Sequence, residues 1–590
     1  MTARLRTIML DRGGLLALVT LVLYSWVAPP HIVDGDNAEF ATLGTIGGTA
    51  HPTGYPLYLL WLRAMSWLPG ESPAHTTAIA TAIIGAASVL VLQAACRAWG
   101  AKPLAATIAA AIYAGAPISI RIGCRAEVFA LNCLVVAVVL WLSAQNGPLR
   151  GMRRAAVLGL VAGLGMSNHM TCTLIAPVGI LGVVRGVREA SRPAWATIAS
   201  TLAGFVVGLL PYAYLLATPE TPLSWGKVSD LHDLYAMVTR EAYGGPSAFL
   251  LTGKEVPAST QLVALGMTLG RAWLWVPLAL GFYAVGRGIA RSTEGETRWA
   301  WALLAIAWLL AGPALAMRFN IEPAAMGLYV IQRFHQLPVM LMTVPVAVGL
   351  SALAPYVARA RLSQRAAIGI VSTLGMLAIA GLSLPHLQRI HTPAVERYAQ
   401  NVLHSLPQHA VLIAGEDDQY FGTGYVQYAL GERTDVTLLA FQLTTSPWYA
   451  RRMEARGIFA PEGDGPVIVR IVDYLLSKGR PVFIERQGSA TSIEIVRAFP
   501  TYPYGPVMKV LPRGAKPPSL DDVLAENKAI FAKFRIDYPI PGDDDEFATM
   551  IHHRYAGPWN ALARKLEAAG KRDDAAWALA AAKAIGPQSP

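Results

Sequence analysis

Along the first two-thirds of the chain the apolar residues come in long runs broken by short polar stretches. They neither alternate, as in a half-buried strand, nor recur every three to four positions, as in a surface helix. Runs of this kind belong to helices that cross a bilayer, where about 20 helical residues span the hydrocarbon. Candidate spans lie near 13–30, 76–96, 104–120, 128–144, 155–167, 170–184, 195–217, 260–285, 299–317, 336–357 and 366–384. The pair 155–167 and 170–184 reads either as one bent helix or as two short ones. After Pro385 the pattern changes to ordinary polarity and mixed charge.

In that later part "AVLIAGEDDQYFGTGYVQYAL" reads as a strand, a turn and a helix. "TDVTLLAFQL" and "PVFIERQ" read as further strands. The last stretch, "WNALARKLEAAGKRDDAAWALAAAKAIGPQSP", is helical. Trp559, Leu562, Ala563, Leu566, Gly570, Ala575, Ala582 and Pro587 sit at the offsets of one tetratricopeptide-like helical pair. A lone repeat cannot bury its own face, so the pair is expected to cap the domain before it. The predicted organisation is a transmembrane domain over 1–384, an α/β domain over 385–555 and the helical pair over 556–590.

Charge placement decides the topology. Cytoplasmic loops carry an excess of Lys and Arg. With the N-terminus inside, six clusters fall on one side: Arg4/Arg6/Arg12, Arg97/Lys102, Arg150/Arg153/Arg154, Arg185/Arg188/Arg192, Arg287/Arg291/Arg298 and Arg359/Arg361/Arg365. This arrangement requires two passes between 155 and 184, and gives about eleven spans with the C-terminus outside. The acidic loop after the first span, the Arg121–Glu127 loop, Asn168-His169 and the 218–259 and 318–335 loops then share the outer face.

Composition supports the membrane reading. Of 590 residues 54% are hydrophobic and 15% charged, where a soluble globular chain carries roughly 25% charged residues. The net charge of +11 does not point to nucleic acid, because the arginines punctuate apolar runs and form no basic tract with interleaved aromatics. Cys96, Cys124, Cys133 and Cys172 lie in or beside apolar runs, form no CxxC and read as small packing residues. No A-x-A-like cleavage site follows the first apolar run, which is therefore read as a retained span.

Five outer segments carry candidate chemistry. "DGDNAEFATLGTIGGTAHPTGYPLY" holds Asp34, Asp36, Glu39 and His51 and no Lys or Arg. Asp36 and Glu39 are three apart and would share one face of a helix. Like charges held close raise at least one pKa, which suits a general base. The ordinary alternative is a solvated loop at the membrane boundary. The prolines and glycine of the HPTGYP stretch, with Tyr55, argue instead for a rigid turn that holds His51 near the membrane surface. "RIGCRAEVFALN" brings Arg121, Arg125 and Glu127, either snorkelling at the interface or gripping phosphate. "GLGMSNHM" interrupts an apolar run with Asn168 and His169, which face a cavity or form an interhelical hydrogen bond. The 218–259 loop contains Trp225, Lys227, Arg240 and Tyr243, which anchor it at the interface or serve the site. "YVIQRFHQLP" places Arg333 and His335 at the start of a helix. There is no Walker A, kinase or HExxH motif.

With "DGDNAEF…AHPTGYPLY", "CRAEVFALN", "GLGMSNHM", "LSWGKVSDLHDLYAMVTREAYG" and "DDQYFGTGYVQYALGERTDVTLLAFQLTTSPWY" in this order, the chain resembles the protein O-mannosyltransferase-like membrane family once classed as a domain of unknown function. The resemblance covers about residues 30 to 450. That family is similar to the GT-C glycosyltransferases, with many membrane helices, an acidic first outer loop and polyprenyl-phosphate sugars as donors. The resemblance implies a GT-C-like membrane domain in which Asp36 is the catalytic base and Glu39 follows in the same motif. Asn37-Ala38 stands between them where the family has a small glycine-containing pair, and the acids are untouched by that departure. His51, Arg125 and His169 would contact the donor or its phosphate, as would Arg333, placed by analogy with GT-C enzymes. Asp34, Tyr55, Glu127, Asn168 and Trp225 would support them.

The resemblance implies an inverting transfer of a mannose-like sugar to a protein Ser/Thr hydroxyl, or to a lipid or polysaccharide, outside the cytoplasmic (inner) membrane. It implies as partners a polyprenyl-phosphate-linked sugar, a protein or glycan acceptor and the lipid bilayer, and no nucleic acid. No cofactor is demanded, although three acids in one loop could hold Mg²⁺ or Mn²⁺ through oxygen. A transporter is the alternative of another class. Against it, the acids sit in a loop and the pattern shows no pair of interrupted helices in matching halves. A scaffold recruiting partners through its last helices is a third reading.

Overall fold

The computed structural model describes residues 12–245, 255–291, 295–359, 381–383, 387, 391–485, 490–542 and 547–588. Most of the expected span 366–384, and the basic residues Arg4, Arg6, Arg361 and Arg365, lie outside the described residues. The chain divides into two compact units. The first comprises 1–30, 49–219 and 228–388, and the second 31–48, 220–227 and 389–590. The acidic stretch 34–39 and the Trp225 loop thus fold with the C-terminal part of the chain.

The first unit is helical. Among the described residues four helices are long and apolar enough to cross a membrane: Pro73–Ala98, Met170–Glu189, Ala194–Ala217 and Gly327–Leu353. Two further apolar helices are broken, Pro103–Gly115 with Pro117–Gly123 by 69° and Ala258–Trp273 with Val276–Ala290 by 104°, which makes up to six spans. The first break follows from Pro117, which forces Ala116 into extended backbone (φ −61°, ψ 138°). At the second, Leu274 and Trp275 adopt left-handed φ of 57° and 55°. The Trp275 ring folds back over Gly270, where a Cβ would lie 2.2 Å from it. Neither break shows as a gap in the apolar pattern.

Between 155 and 184 the chain reverses. Helix Gly151–Met166 ends, Ser167 to His169 turn, and Met170–Ile175 leads into helix Ala176–Glu189. A Cβ on Gly186 would lie 2.9 Å from the Gly151 carbonyl oxygen, and one on Gly182 2.6 Å from Leu158, so the two helices form an antiparallel hairpin. Helix Ala194–Gly208 runs parallel to Gly151–Met166 at backbone contact. Cβ atoms on Gly159 and Gly163 would meet the carbonyl oxygens of Thr201 and Phe205 at 2.0 and 2.2 Å, and those on Gly204 and Gly208 would meet Ala156 and Leu160 at 2.3 Å each. Small residues four apart allow this approach, which supplies dispersion contact where lipid offers no hydrophobic drive.

The second unit is built on a five-stranded sheet: β1 (Val411–Ala414), β2 (Thr437–Ala440), β3 (Val482–Glu485), β4 (Thr501–Tyr504) and β5 (Val507–Val510), in the order β2-β1-β3-β5-β4. β2, β1 and β3 are parallel, while β3-β5 and β5-β4 are antiparallel. β1 and β3 are buried throughout, as parallel strands covered on both faces are. Helices Phe547–Ala568 and Arg572–Ile585 close the unit, their Trp559, Leu562, Leu566, Ala578 and Ala582 sharing one core with Tyr502, Val523 and Leu524.

Candidate active site

In the first unit the loop between helices Pro117–Gly123 and Val128–Ser143 carries Arg125 and Glu127, both with no exposed surface. Helix Ala325–Leu341 presents Tyr329 and Arg333, four apart and so on one face. Three guanidiniums gather on the Tyr329 ring: Arg121 at 4.1 Å, Arg125 at 4.9 Å and Arg333 at 5.3 Å from its centroid. Arg125 Nη2 donates to the Tyr329 hydroxyl at 2.8 Å, and that hydroxyl donates to Glu127 Oε1 at 3.1 Å. Arg333 Nη1 stands 3.8 Å from the same carboxylate oxygen. Arg121 Nη1 donates to Gln332 Oε1 at 3.4 Å.

A chain of rings continues from this cluster. Arg333 lies 5.9 Å from the Phe129 centroid, Phe129 4.7 Å from His169, and His169 stacks on Tyr55 at 5.9 Å. The Tyr55 hydroxyl is 3.0 Å from His51 Nε2. His169 Nδ1 lies 2.8 Å from the Thr171 hydroxyl oxygen and 3.2 Å from the Thr171 backbone nitrogen, contacts that fix the ring at the hairpin turn. Asn168 Nδ2 donates to the Val128 carbonyl at 3.2 Å and ties the hairpin turn to the start of helix Val128–Ser143. Gly54 has φ +83°, and a Cβ there would lie 2.8 Å from Leu215, so the HPTGYP turn requires glycine at this position. A small hollow beside these groups is lined among others by Phe129, Asn132, Thr171, Arg333 and Gln336.

The acids belong to the second unit. Gly35 (φ +73°) turns the chain, Asp36 takes the N-cap position of helix Asn37–Ile46, and Glu39 sits in its first turn. Glu39 is fully buried, Asp34 nearly so, and Asp36 half-buried. The turn is fastened by Asn37 Oδ1, which accepts from the Val33 N–H at 3.0 Å, and by Glu396 Oε2, which accepts from the Ile32 N–H at 3.0 Å. Helix Asn37–Ile46 packs on helix Asp417–Tyr428. Trp225 stands on a loop pinned by Arg452, whose nitrogens donate to Glu220 Oε1 at 2.7 Å, the Pro222 carbonyl at 3.3 Å and the Ser224 carbonyl at 2.6 Å.

The structure therefore brings Arg125, Glu127, Arg333, His51, Tyr55, Asn168 and His169 into one neighbourhood of the first unit. Asp34, Asp36, Glu39 and Trp225 fold with the second. Tyr329, the ring on which the arginines converge, was not singled out from sequence, although it lies one helical turn before Arg333. His335 turns from this cluster to Thr268, with Nδ1 3.1 Å from its Oγ1.

Residues 36–191 match the model of the protein O-mannosyl-transferase TMEM260 N-terminal domain. The chain is 24% identical over 474 residues to the mouse protein O-mannosyl-transferase TMEM260, a match covering 75% of this chain and 64% of the relative. With the Dictyostelium discoideum protein of the same name it shares 20% identity over 526 residues, 80% of this chain and 63% of that one. The chain thus spans somewhat less than two-thirds of these relatives' own length. The crystal structure of ArnT from Cupriavidus metallidurans bound to undecaprenyl phosphate superposes with a TM-score of 0.53 at 14% identity, covering 86% of this chain and 99% of that one. The fold is accordingly GT-C-like and the protein is multi-pass in character. The chain is homologous to the protein O-mannosyl-transferases named TMEM260, across a region that includes their N-terminal domain, and it shares its fold with ArnT.

Proposed function

We propose that this protein is an inverting glycosyltransferase that moves a mannose-like sugar from a polyprenyl-phosphate donor to a Ser or Thr hydroxyl of a protein, on the outer face of the cytoplasmic membrane. The observation that carries the reading is the gathering of Arg121, Arg125 and Arg333 on Tyr329. Delocalised, permanently charged guanidiniums fit phosphate oxygens. A phosphate leaving group gains charge in the transition state, and fixed cations stabilise it most where water is sparse. The names of the relatives support a mannosyl donor, and the ArnT complex with undecaprenyl phosphate supports a polyprenyl carrier.

In this mechanism the Asp36 carboxylate takes the proton of the acceptor hydroxyl. The hydroxyl oxygen attacks the anomeric carbon from the face opposite the phosphate. The sugar–phosphate C–O bond breaks, its electron pair leaves with the phosphate, and the configuration inverts. Glu39 and Asp34 support the base. Arg125, Arg333, His51 and His169 hold the donor, with Glu127, Tyr55 and Asn168 fixing them and Trp225 serving the acceptor side. The chemistry needs no metal. The proposed topology has about eleven spans, the N-terminus inside and the C-terminal domain, ending in a tetratricopeptide-like pair, outside.

The test uses purified protein, polyprenyl-phosphate mannose and a Ser/Thr peptide. Asp36→Asn should lower transfer by at least about 100-fold, as expected on losing a general base, with thermal unfolding and donor binding unchanged. Full activity in that variant removes Asp36 from the role.

A further inference from the structure

We propose that Glu396 is a positioning residue for Asp36: its carboxylate, on the C-terminal part of the chain, holds the turn on which Asp36 stands. The proposal rests on the reading of Asp36 as the base and adds a residue that acts through it. Ile32 and Val33 lead into the acidic turn and are buried, at 0% and 2% exposure. A buried backbone N–H must find an acceptor. The Ile32 N–H donates to Glu396 Oε2 at 3.0 Å, and the Val33 N–H to Asn37 Oδ1 at 3.0 Å. The second bond is local, whereas the first joins residues 364 positions apart. Just ahead of them, His31 Nε2 donates to the His391 carbonyl oxygen at 3.0 Å.

Glu396 can hold the turn because it is itself held. It lies in the first turn of helix Ala394–Ser405, where a carboxylate complements the helix dipole. Its neighbour Arg397 forks onto Asp537, with Nε donating to Oδ1 at 2.9 Å and Nη2 to Oδ2 at 2.8 Å. Further along the same helix, Asn401 Nδ2 donates to the Tyr555 hydroxyl at 2.8 Å and to the Arg535 carbonyl at 3.1 Å. Side-chain packing repeats the arrangement. A Cβ on Gly422 would meet Ile32 Cδ1 at 3.8 Å, Ala399 Cβ at 3.9 Å and Val395 Cγ1 at 4.0 Å. The Ile32 side chain thus packs where helices Ala394–Ser405 and Asp417–Tyr428 meet, while its N–H is bonded to the first of them. Only Val33, Asp34 and Gly35 separate Ile32 from Asp36, and Gly35 makes the left-handed turn. Release at Ile32 therefore reaches Asp36 within a few bonds, and a reacting group misplaced by about 1 Å can cost about 100-fold in rate.

The experiment uses the full-length protein in detergent. It measures donor affinity, transfer kinetics with polyprenyl-phosphate mannose and a Ser/Thr peptide, and hydrogen exchange over 31–37. Glu396→Ala should lower kcat by about 10- to 100-fold, leave donor affinity unchanged and speed exchange over 31–37. Glu396→Gln keeps an acceptor oxygen and should restore both kcat and slow exchange. Glu396→Asp draws the oxygen back by one methylene; it should show the same losses in smaller degree, and it serves where the Ala variant does not fold. In an Asp36→Asn background, Glu396→Ala should cause no further loss of transfer, because residues that act as a unit are not additive. A wild-type kcat in Glu396→Ala, a Gln variant as impaired as the Ala variant, or a loss that multiplies with that of Asp36→Asn overturns the proposal. Faster exchange in Glu396→Ala together with full activity in Asp36→Asn would count against the base assignment and leave Glu396 as the residue that holds the acidic turn.

Discussion

Two buried clusters of charge in this molecule use the same residue types in opposite proportion. In the first unit Arg121, Arg125 and Arg333 gather on Tyr329 with Glu127. In the second unit Glu416, Asp418 and Glu485 gather about Arg554. The second cluster resolves its own surplus. Burial pushes the Glu485 carboxyl well above the usual carboxylate range, Arg554 pulls it down, and Asp418 and Glu416 push it further up, so Glu485 is driven toward the neutral acid. Burial opposes the Arg554 charge, yet Asp418, Tyr398 and Glu416 together hold the guanidinium above its ordinary value. A carboxylate can take up a proton; a guanidinium cannot release one at any physiological pH. The two clusters thus differ in the sign that predominates among these groups, and the proposed phosphate site is the one where guanidiniums, whose fork fits phosphate oxygens, come together.

The contrast is broken most severely by removing a cation from the first cluster. Arg125→Ala should lower transfer by about 100-fold or more, the scale of losing one transition-state donor. Arg125→Lys should recover little of it, because an ammonium cannot reproduce the forked contact. If Arg125→Ala leaves donor turnover intact, the cluster is structural like its counterpart. In the second unit, Arg554→Ala leaves Glu416 and Asp418 without their shared guanidinium. It should destabilise that unit by about 3 kcal/mol, read as faster hydrogen exchange over 411–428, with the donor affinity of the intact protein retained. Unchanged exchange would show that the ion pairs contribute nothing.

The smallest effect is the sharpest in sign. Between the ordinary carboxyl value near 4.5 and its raised folded value, Glu485 holds a proton in the folded state that the unfolded chain has released. Its contribution to stability therefore falls as pH rises through that window. Glu485→Gln removes the titration and should raise the unfolding midpoint at pH 8 by roughly 2–4 °C, with the two proteins converging toward pH 4. A variant less stable than the wild type at pH 8 would mean that the buried carboxylate is ionised and needed.

The helical, multi-pass character was readable from the runs of apolar residues, because hydrocarbon imposes helix and length together; of the eleven or so expected spans, four helices, or up to six with the broken pairs, are long and apolar enough among the described residues. The broken helices were not readable, since a break at Pro117 or at Leu274-Trp275 leaves the residues on both sides apolar. Nor was the seam of Gly159, Gly163, Gly204 and Gly208, because small residues look alike whether they pack helices or merely occupy them. Candidate residues stood out where polarity interrupted an apolar run, as at Arg125, Asn168 and His169, and the structure places these three in one neighbourhood. Tyr329 was passed over because a tyrosine near an interface is unremarkable until three arginines are seen around it. The acidic stretch was expected with the membrane helices it adjoins in sequence. Its grouping with the C-terminal part depends on long-range packing of helix Asn37–Ile46 on helix Asp417–Tyr428, which no local pattern encodes.

The central claim is sugar transfer from a polyprenyl phosphate with inversion. The most direct measurement is nuclear magnetic resonance of the glycopeptide formed by purified protein from a donor of known anomeric configuration. The account predicts a single product of opposite anomeric configuration, formed with stoichiometric release of polyprenyl phosphate. A product that retains the donor's configuration, or turnover of the donor to free sugar with no acceptor dependence, would contradict it.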